Sequence, residues 1–250
     1  MKGRLAVADG ARFRTIKGTE GTTVRSIVQT ADGAIYLAGV PATEIVRYLP
    51  ATGEVTRHVL NAANPAKRIF RLLAARDGSL WASTDGAGLW RADSASAALQ
   101  FTQVAVPGGT ATERMSDIRE DAQGRIWVAG QYGLAMLENG AWRRFTRADG
   151  LRKDHVTYAF PTRAGDLLLP YFDPIGVARM RYQNGKLAAL AHYDATTTRT
   201  PDKVFIAGED ALGRIWLGGG RGIDLLTAQG SRHFGAAEGL IGEDTVAMAF

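Results

Sequence analysis

The chain has 250 residues, of which 46% are hydrophobic and 30 are glycine, and its formal net charge is +5. This composition is typical of a globular domain with a large core, and the absence of cysteine excludes disulfide bonds, thiolate catalysis and zinc-thiolate sites. No apolar run approaches the ~20 residues of a membrane-spanning helix. The basic residues are scattered and not grouped with aromatic ones, which argues against a nucleic-acid partner.

A short phrase, Gly-x-(Ile/Leu)-(Trp/Tyr), recurs along the chain with a nearly constant period. Its aromatic position is occupied in chain order by Tyr36, Trp81, Trp127, a degenerate Leu168, and Trp216. These positions are 45, 46, 41 and 48 residues apart. A period in this range is typical of four-stranded propeller blades. A two-sheet sandwich does not require such constant spacing.

Each repeat predicts four strands in a fixed order. An apolar inner strand precedes a tight glycine turn, and the aromatic phrase forms the second strand. A second loop leads to a third strand, and an Asn-Gly-like turn leads to the outer strand. The flat tryptophan ring is expected to be buried between adjacent blades. Whole blades are predicted at residues 24–58, 68–104, 115–146, 156–193 and 204–234.

The two ends of the sequence read as parts of further blades. Residues 1–16 match the last strands of a blade, and residues 246–250 match an inner strand. The predicted fold is therefore an all-β propeller domain with five complete blades and a partial blade at each end. Because a propeller closes by pairing strands from its two termini, we expect the chain to be a fragment of a seven-bladed propeller.

The search for catalytic motifs gives negative results. The sequence has no GxSxG, GxxxxGK or HExxH motif. Three of the four histidines, His58, His192 and His233, fall on or near the outer strands of different blades and cannot share a metal ion. His155 lies in a loop that enters a blade. The sequence thus predicts no catalytic residue, no metal and no cofactor.

Topology predicts where a binding site would lie. In an antiparallel blade, the loop between strands two and three and the loop entering the next blade share one face. The candidate ligand-binding residues on these loops are Asp85, Gln131, Tyr132, His155, Tyr171, Phe172, Asp173 and Arg221. Such a mixture suits a polar ligand such as a sugar or peptide, although loop residues are also polar simply because water solvates them.

The fourth repeat departs most from the pattern. Leu168 replaces the tryptophan, and the loop of residues 170–175 carries two aromatic residues, Tyr171 and Phe172, which we expect to be exposed. Local departures of this kind often mark functional positions, so a ligand is expected here first. The alternative is a drifted blade whose loop packs on its neighbour.

Residues 115–130, MSDIREDAQGRIWVAG, resemble the two-component regulator propeller repeat, as do residues 209–223 and 77–89. The aspartate three positions before the turn glycine is present only as Asp121 and Asp210, and Thr30, Ala75 and Thr162 replace it elsewhere. The resemblance implies the periplasmic sensor region of a hybrid histidine kinase or diguanylate cyclase. Such a region has no chemistry of its own, forms homodimers through its parent protein, and joins the membrane through segments outside this sequence.

Two other functions stay open. Residues 45–54, IVRYLPATGE, resemble a strand and turn of the streptogramin (virginiamycin B) lyases, which are enzymes that need metal-binding and basic residues on one face. A propeller that only docks another protein is the third possibility.

Overall fold

The computed structural model describes residues 5–10, 12–21, 23–41, 44–60, 67–93, 98–171, 176–194, 196–198, 204–227 and 230–242. The chain divides into two compact units, Met1–Ile118 and Arg119–Phe250. No helix among the described residues is long and apolar enough to cross a membrane.

The first unit contains a two-stranded sheet and two four-stranded sheets, all antiparallel and paired in sequence order. The two-stranded sheet consists of β1 (Ala6–Asp9) and β2 (Arg12–Thr15). Blade 1 consists of β3 (Thr23–Gln29), β4 (Ile35–Val40), β5 (Glu44–Leu49) and β6 (Glu54–Val59). Blade 2 consists of β7 (Arg68–Ala74), β8 (Leu80–Asp85), β9 (Leu89–Ala92) and β10 (Thr102–Val104).

The second unit begins within the first strand of blade 3 and contains blades 4 and 5. Blade 3 consists of β11 (Met115–Glu120), β12 (Ile126–Gly130), β13 (Gly133–Glu138) and β14 (Ala141–Phe145). Blade 4 consists of β15 (Phe160–Pro161), β16 (Asp166–Pro170), β17 (Val177–Gln183) and β18 (Lys186–Tyr193). Blade 5 consists of β19 (Val204–Glu209), β20 (Ile215–Gly219), β21 (Gly222–Thr227) and β22 (Gly230–Phe234). Short 3-10 helices at Arg147–Asp149 and Ala236–Glu238 follow blades 3 and 5.

The five four-stranded sheets confirm the predicted fold class. The two-stranded sheet lies where the N-terminal partial blade is predicted, and residues 246–250 lie outside the described residues. The repeat glycines have positive φ angles, for example 82° at Gly124 and 77° at Gly213, which side-chain-bearing residues rarely adopt. The glycine turn is thus what fixes the start of each second strand.

Three first strands carry a β-bulge at the same place. Pairing with the second strand shifts between Val24 and Ser26 in β3, between Ile69 and Arg71 in β7, and between Val204 and Ile206 in β19. The extra residues are Arg25, Phe70 and Phe205, and each stands eight positions before its turn glycine. A bulge locally breaks the alternation of side chains between the two faces of a strand, so it can re-aim one side chain.

The tryptophan phrase packs as predicted in blades 2 and 3. Trp81 is 2% exposed and Trp127 is fully buried, whereas Trp216 is half-buried. The Trp127 ring stacks on Phe145 of its own blade and meets Tyr182 of blade 4 edge-on at 5.8 Å. Trp127 therefore joins two neighbouring blades through aromatic contacts.

Candidate ligand-binding site

The aspartate of the repeat holds the turn and the tryptophan together. In blade 3, Asp121 Oδ1 accepts hydrogen bonds from the backbone N–H groups of Gln123 and Arg125 at 2.9 and 3.0 Å. Its Oδ2 accepts from Arg125 Nε at 2.6 Å and from Trp127 Nε1 at 2.8 Å. Four donors thus engage this carboxylate, which makes it a structural group.

Blade 5 repeats this arrangement around Asp210. Its carboxylate accepts from the backbone N–H groups of Leu212 and Arg214, from Arg214 Nε at 2.6 Å and from Trp216 Nε1 at 2.8 Å. Burial acts to raise the pKa of Asp210, but the hydrogen bonds from Trp216 and Arg214 outweigh it and hold that pKa well below its ordinary value. Asp210 therefore stays ionised as a fixed acceptor.

Three segments of the second unit meet where blades 3 and 4 join, and we call this place the junction patch. Its parts are the β12–β13 turn, the entry segment of residues 152–156, and Tyr171. The N–H of Val156 donates to the carbonyl of Gly130 at 3.1 Å, and Val156 also forms an isolated β-bridge with Tyr171. The N–H of Arg152 donates to the Tyr171 hydroxyl at 3.0 Å. The patch is therefore built on a hydrogen-bonded backbone frame.

Three predicted site residues, Gln131, Tyr132 and His155, lie in the segments of the junction patch. Tyr132 is 42% exposed in the β12–β13 turn, and its carbonyl accepts from Arg144 Nη1 at 3.0 Å. Gln131 in the same turn and His155 in the entry segment are half-buried. The Val156–Gly130 hydrogen bond joins the segment that contains His155 to the strand that leads into Gln131 and Tyr132.

The expectation that Tyr171 is exposed is wrong. Its side chain is 2% exposed and belongs to the core cluster that contains Trp127 and Leu169. Burial raises the pKa of its phenol, while the hydrogen bond from Arg152 acts in the opposite direction. Tyr171 directly follows β16 and forms a β-bridge with Val156 of the junction patch. Its ring packs in the core cluster rather than in solvent.

The remaining predicted residues are dispersed. Arg221 is exposed in the β20–β21 turn of blade 5, which corresponds to the turn of Tyr132 in blade 3. Asp85 ends β8 in the first unit, where its carboxylate pairs with Arg68 Nε at 3.1 Å. Phe172 and Asp173 lie outside the described residues.

Three histidines lie on fourth strands, as predicted. They are His58 on β6, His192 on β18 and His233 on β22. Burial, helped by nearby Arg47, lowers the pKa of His58, and His233 Nδ1 lies 3.3 Å from Asp224 Oδ1. Among the described residues, no three His, Cys, Asp or Glu side chains are grouped in a way that could hold a metal ion.

Two hollows lie at the glycine turns, one in each unit. In the first unit, a hollow of about 510 Å³ is lined by the β3–β4 and β7–β8 turns, including Asp32 and Arg76. In the second unit, a hollow of about 290 Å³ is lined by residues that include Gln123, Arg125 and Arg181. Both arise because adjacent turns leave space between them.

Solved structures similar to this chain include a domain of a two-component system, a lyase and a β-propeller domain. The extracellular domain of a hybrid two-component system from B. thetaiotaomicron has a TM-score of 0.65 and 18% identity, over 88% of this chain and 32% of that one. Virginiamycin B lyase from Staphylococcus aureus has a TM-score of 0.64 and 14% identity, over 86% of this chain and 70% of that one. The β-propeller domain of Myceliophteria thermophila Cps50 (Swd1) has a TM-score of 0.62 and 12% identity, over 89% and 76%.

At these identities the likeness shows the fold, which is a β-propeller of four-stranded blades. The chain corresponds to about a third of the sensor chain, since 32% of that chain is covered. No protein-family model matches the sequence. No curated protein sequence matches it either.

Proposed function

We propose that this chain is the ligand-binding sensory propeller of a membrane-bound signalling protein, a two-component kinase or a diguanylate cyclase. It binds a polar small molecule, such as a sugar or peptide, and performs no chemistry of its own. Binding changes how two copies of the parent protein dock, which needs only about 1 to 3 kcal/mol of coupling between the ligand site and the docked state.

The junction patch is the observation that carries this proposal. Tyr132 offers an exposed aromatic face, and Gln131 and His155 lie in the two segments that the Val156–Gly130 hydrogen bond joins. Aromatic stacking and a few hydrogen bonds suffice for a polar organic ligand. The hydrogen bond from the Val156 N–H to the Gly130 carbonyl holds the entry segment against the end of β12 before a ligand binds. This order reduces the entropy cost of binding.

The repeat motif and the likeness to an extracellular sensor domain add support. They also suggest the compartment, because the ligand-sensing part of such a protein lies outside the cytoplasm. We therefore place the chain in the periplasm, as part of a homodimeric parent that reaches the membrane through segments outside this sequence.

Thermal unfolding of the chain tests ligand binding. A panel of neutral oligosaccharides and dipeptides is added at millimolar concentration, and at least one member is expected to raise the melting temperature by a few degrees. Tyr132→Ala and His155→Ala should each remove that gain without lowering the melting temperature of the ligand-free chain. Phe13→Ala is the matched control, since Phe13 is an aromatic residue 81% exposed on β2 and belongs to the other unit.

The signalling step is tested on the parent protein. A ligand that stabilises the chain should change kinase autophosphorylation or cyclic dinucleotide synthesis, and Tyr132→Ala should abolish the response. An output that is indifferent to a ligand bound at the patch would contradict the sensor proposal.

The second candidate is a lyase of the streptogramin type. It is favoured by the likeness to virginiamycin B lyase, of which this chain covers 70%. Incubation with quinupristin, the compound present in a related lyase structure, distinguishes the two. Turnover that is lost in His155→Ala would replace the sensor proposal by the lyase.

A further inference from the structure

Three arginines surround one phenylalanine in the first unit. The guanidinium carbons of Arg25, Arg68 and Arg114 lie 5.9, 5.6 and 5.0 Å from the centre of the Phe70 ring. Arg25 belongs to β3, Arg68 begins β7, and Arg114 immediately precedes β11. The first strands of blades 1 and 2 and the residue before the first strand of blade 3 therefore contribute one guanidinium each, and we call these three arginines with Phe70 the arginine cluster.

The β-bulges explain why these side chains meet. Arg25 and Phe70 are the extra residues of the bulges in β3 and β7. A bulge turns its residue away from the strict alternation of the strand. The next residue after Arg25, Ser26, accepts a hydrogen bond from the N–H of Leu72 at 2.9 Å, so the two strands are fixed to each other beside the cluster.

The arginine cluster is accessible to solvent. Arg25 is exposed, the Arg68 side chain is 40% exposed, and Arg114 and Phe70 are half-buried. A guanidinium that lies over an aromatic ring interacts through its charge with the ring face, while its N–H donors point outward in its own plane. These donors are the groups that bind carboxylates in a two-pronged geometry.

Positive charge exceeds negative charge around Phe70. Arg68 pairs with Asp85, and the neighbouring Arg71 pairs with the buried Asp117. Lys67 precedes Arg68, and the buried Glu113 precedes Arg114. Within the first unit, the three strands, the flanking residues 67, 113 and 114, and the Arg68 partner Asp85 carry four arginines and one lysine against three carboxylates: Arg25, Arg68, Arg71, Arg114, Lys67, Asp85, Asp117 and Glu113. Like charges held close together repel one another, and a bound anion would relieve that repulsion.

We propose that the arginine cluster binds a small organic anion that carries two or more carboxylates. The carboxylates are held by the guanidinium N–H groups, and the carbon skeleton lies against Phe70. Inorganic phosphate and sulfate share the oxyanion chemistry but have no apolar part to cover the ring. This proposal names a ligand class for the proposed sensory propeller, and it rests on that function only for its link to signalling.

Calorimetric titration of the chain with citrate tests the proposal, with ionic strength held constant by sodium chloride. Saturable binding with one site per chain is expected. Arg25→Gln and Arg114→Gln should each weaken the affinity about tenfold, as the loss of a charge-assisted hydrogen bond does. Arg114→Lys keeps the charge without the two-pronged donor geometry and should weaken it less than Arg114→Gln.

Arg232→Gln is the matched control. Arg232 also lies over a phenylalanine, 4.8 Å from the centre of the Phe234 ring, but it is in the second unit. The Arg232→Gln substitution lowers the net charge by one, as Arg25→Gln and Arg114→Gln do, and it should leave the citrate affinity unchanged. Circular dichroism of each variant establishes that the fold is retained.

The absence of saturable citrate binding would overturn the proposal, as would an equal loss of affinity in Arg232→Gln. Tighter binding of sulfate or phosphate than of citrate would overturn the assignment to carboxylates. Citrate binding should persist in Tyr132→Ala and His155→Ala, which separates this site from the junction patch. Citrate binding with no response of the parent protein would remove the link between this site and signalling and leave the anion site standing.

Discussion

Blades 3 and 4 each have an arginine–aspartate ion pair at the turn before the second strand, but the acidic and basic residues exchange places. In blade 3, Arg125 follows the turn glycine and pairs with Asp121 on the other side of the turn at 2.6 Å. In blade 4, the residue after the turn glycine is an acid, Asp166, which pairs with Arg179 at 2.6 Å and with Arg181 on β17. Both arrangements place an arginine–aspartate pair at the start of the second strand.

The side chains beneath these pairs differ in the same way. Trp127 of blade 3 donates to Asp121 and packs against Tyr182, whereas Leu168 of blade 4 has no polar group and packs in a cluster with Val204 and Leu217 of blade 5. Both positions are fully buried. The replacement of the repeat tryptophan by Leu168 in blade 4 therefore exchanges one buried core for another.

The largest expected effect is the loss of stability when the buried side chain at the repeat position is removed in blade 3 or blade 4. Trp127→Ala should lower the free energy of unfolding by about 3 to 5 kcal/mol, because it removes a large buried ring and also leaves Asp121 without one donor. Leu168→Ala creates a smaller cavity and breaks no hydrogen bond, so its cost should be the smaller of the two, about 2 to 4 kcal/mol. Urea unfolding followed by circular dichroism measures both. A Trp127→Ala cost below that of Leu168→Ala would show that the tryptophan is not the stronger anchor.

Tyr171 tests whether blade 4 uses its aromatic residue for packing. Tyr171→Ala should cost about 3 to 5 kcal/mol as a buried aromatic residue, and Tyr171→Phe about 1 kcal/mol because the N–H of Arg152 loses its acceptor. Tyr132→Ala, at an exposed position, should change stability by less than about 0.5 kcal/mol. A stability of Tyr171→Ala equal to that of the wild type would refute the buried role.

Asp166 tests the reversed charges of blade 4. Asp166→Asn leaves two arginines without their carboxylate, and breaking such a buried ion pair costs about 3 to 5 kcal/mol when both partners are enclosed. The side chains of Arg179 and Arg181 are 30% and 36% exposed, so water can solvate them in part. We expect a cost of about 2 kcal/mol on that account. In a double-mutant cycle, Arg181→Gln should then cost less in the Asp166→Asn background than alone.

Acid sensitivity gives the smallest effect and tests the blade 3 arrangement in its blade 5 copy. The pKa of Asp210 in the folded chain lies below its ordinary value of 3.8. The stability that this carboxylate contributes is therefore complete above the unfolded pKa and is lost as the pH falls through the folded pKa. Melting temperatures measured from about pH 6 to about pH 2 should fall less steeply for Asp210→Asn than for the wild type. Parallel curves would mean that the hydrogen bonds of Trp216 and Arg214 do not favour the ionised form.

The turns and strands could be predicted because they follow local rules. The glycines with positive φ and the alternating apolar residues place each second strand, as at Gly124 and Ile126. The hydrogen bond from Trp127 to Asp121 could not be predicted from the spacing alone, since it depends on how the five-residue turn between β11 and β12 directs two side chains. The sequence of blade 4 does indicate its ion pairs, because Asp166 begins β16 and Arg179 and Arg181 occupy alternate positions of β17.

The candidate site was predicted only in part, for a related physical reason. Topology placed Tyr132 and His155 on loops of the same side, and the structure brings their segments together. Topology could not predict that Tyr171 is buried, because the direction of its ring depends on the β-bridge to Val156 rather than on the length of the loop. The arginine cluster was also missed, because periodicity assigns Arg25 and Phe70 to faces that hold only for strands without bulges.

The repeated bulge gives each of three blades one position whose side chain can change independently of the strand pairing. The inserted position is occupied by Arg25, Phe70 and Phe205 in three blades, while the pairing beyond it keeps its register up to the turn glycine. A mutation there alters one projecting side chain without disturbing the ladder that supports it. A blade duplicated with its bulge therefore keeps a position whose side chain can be exchanged without altering the strand pairing.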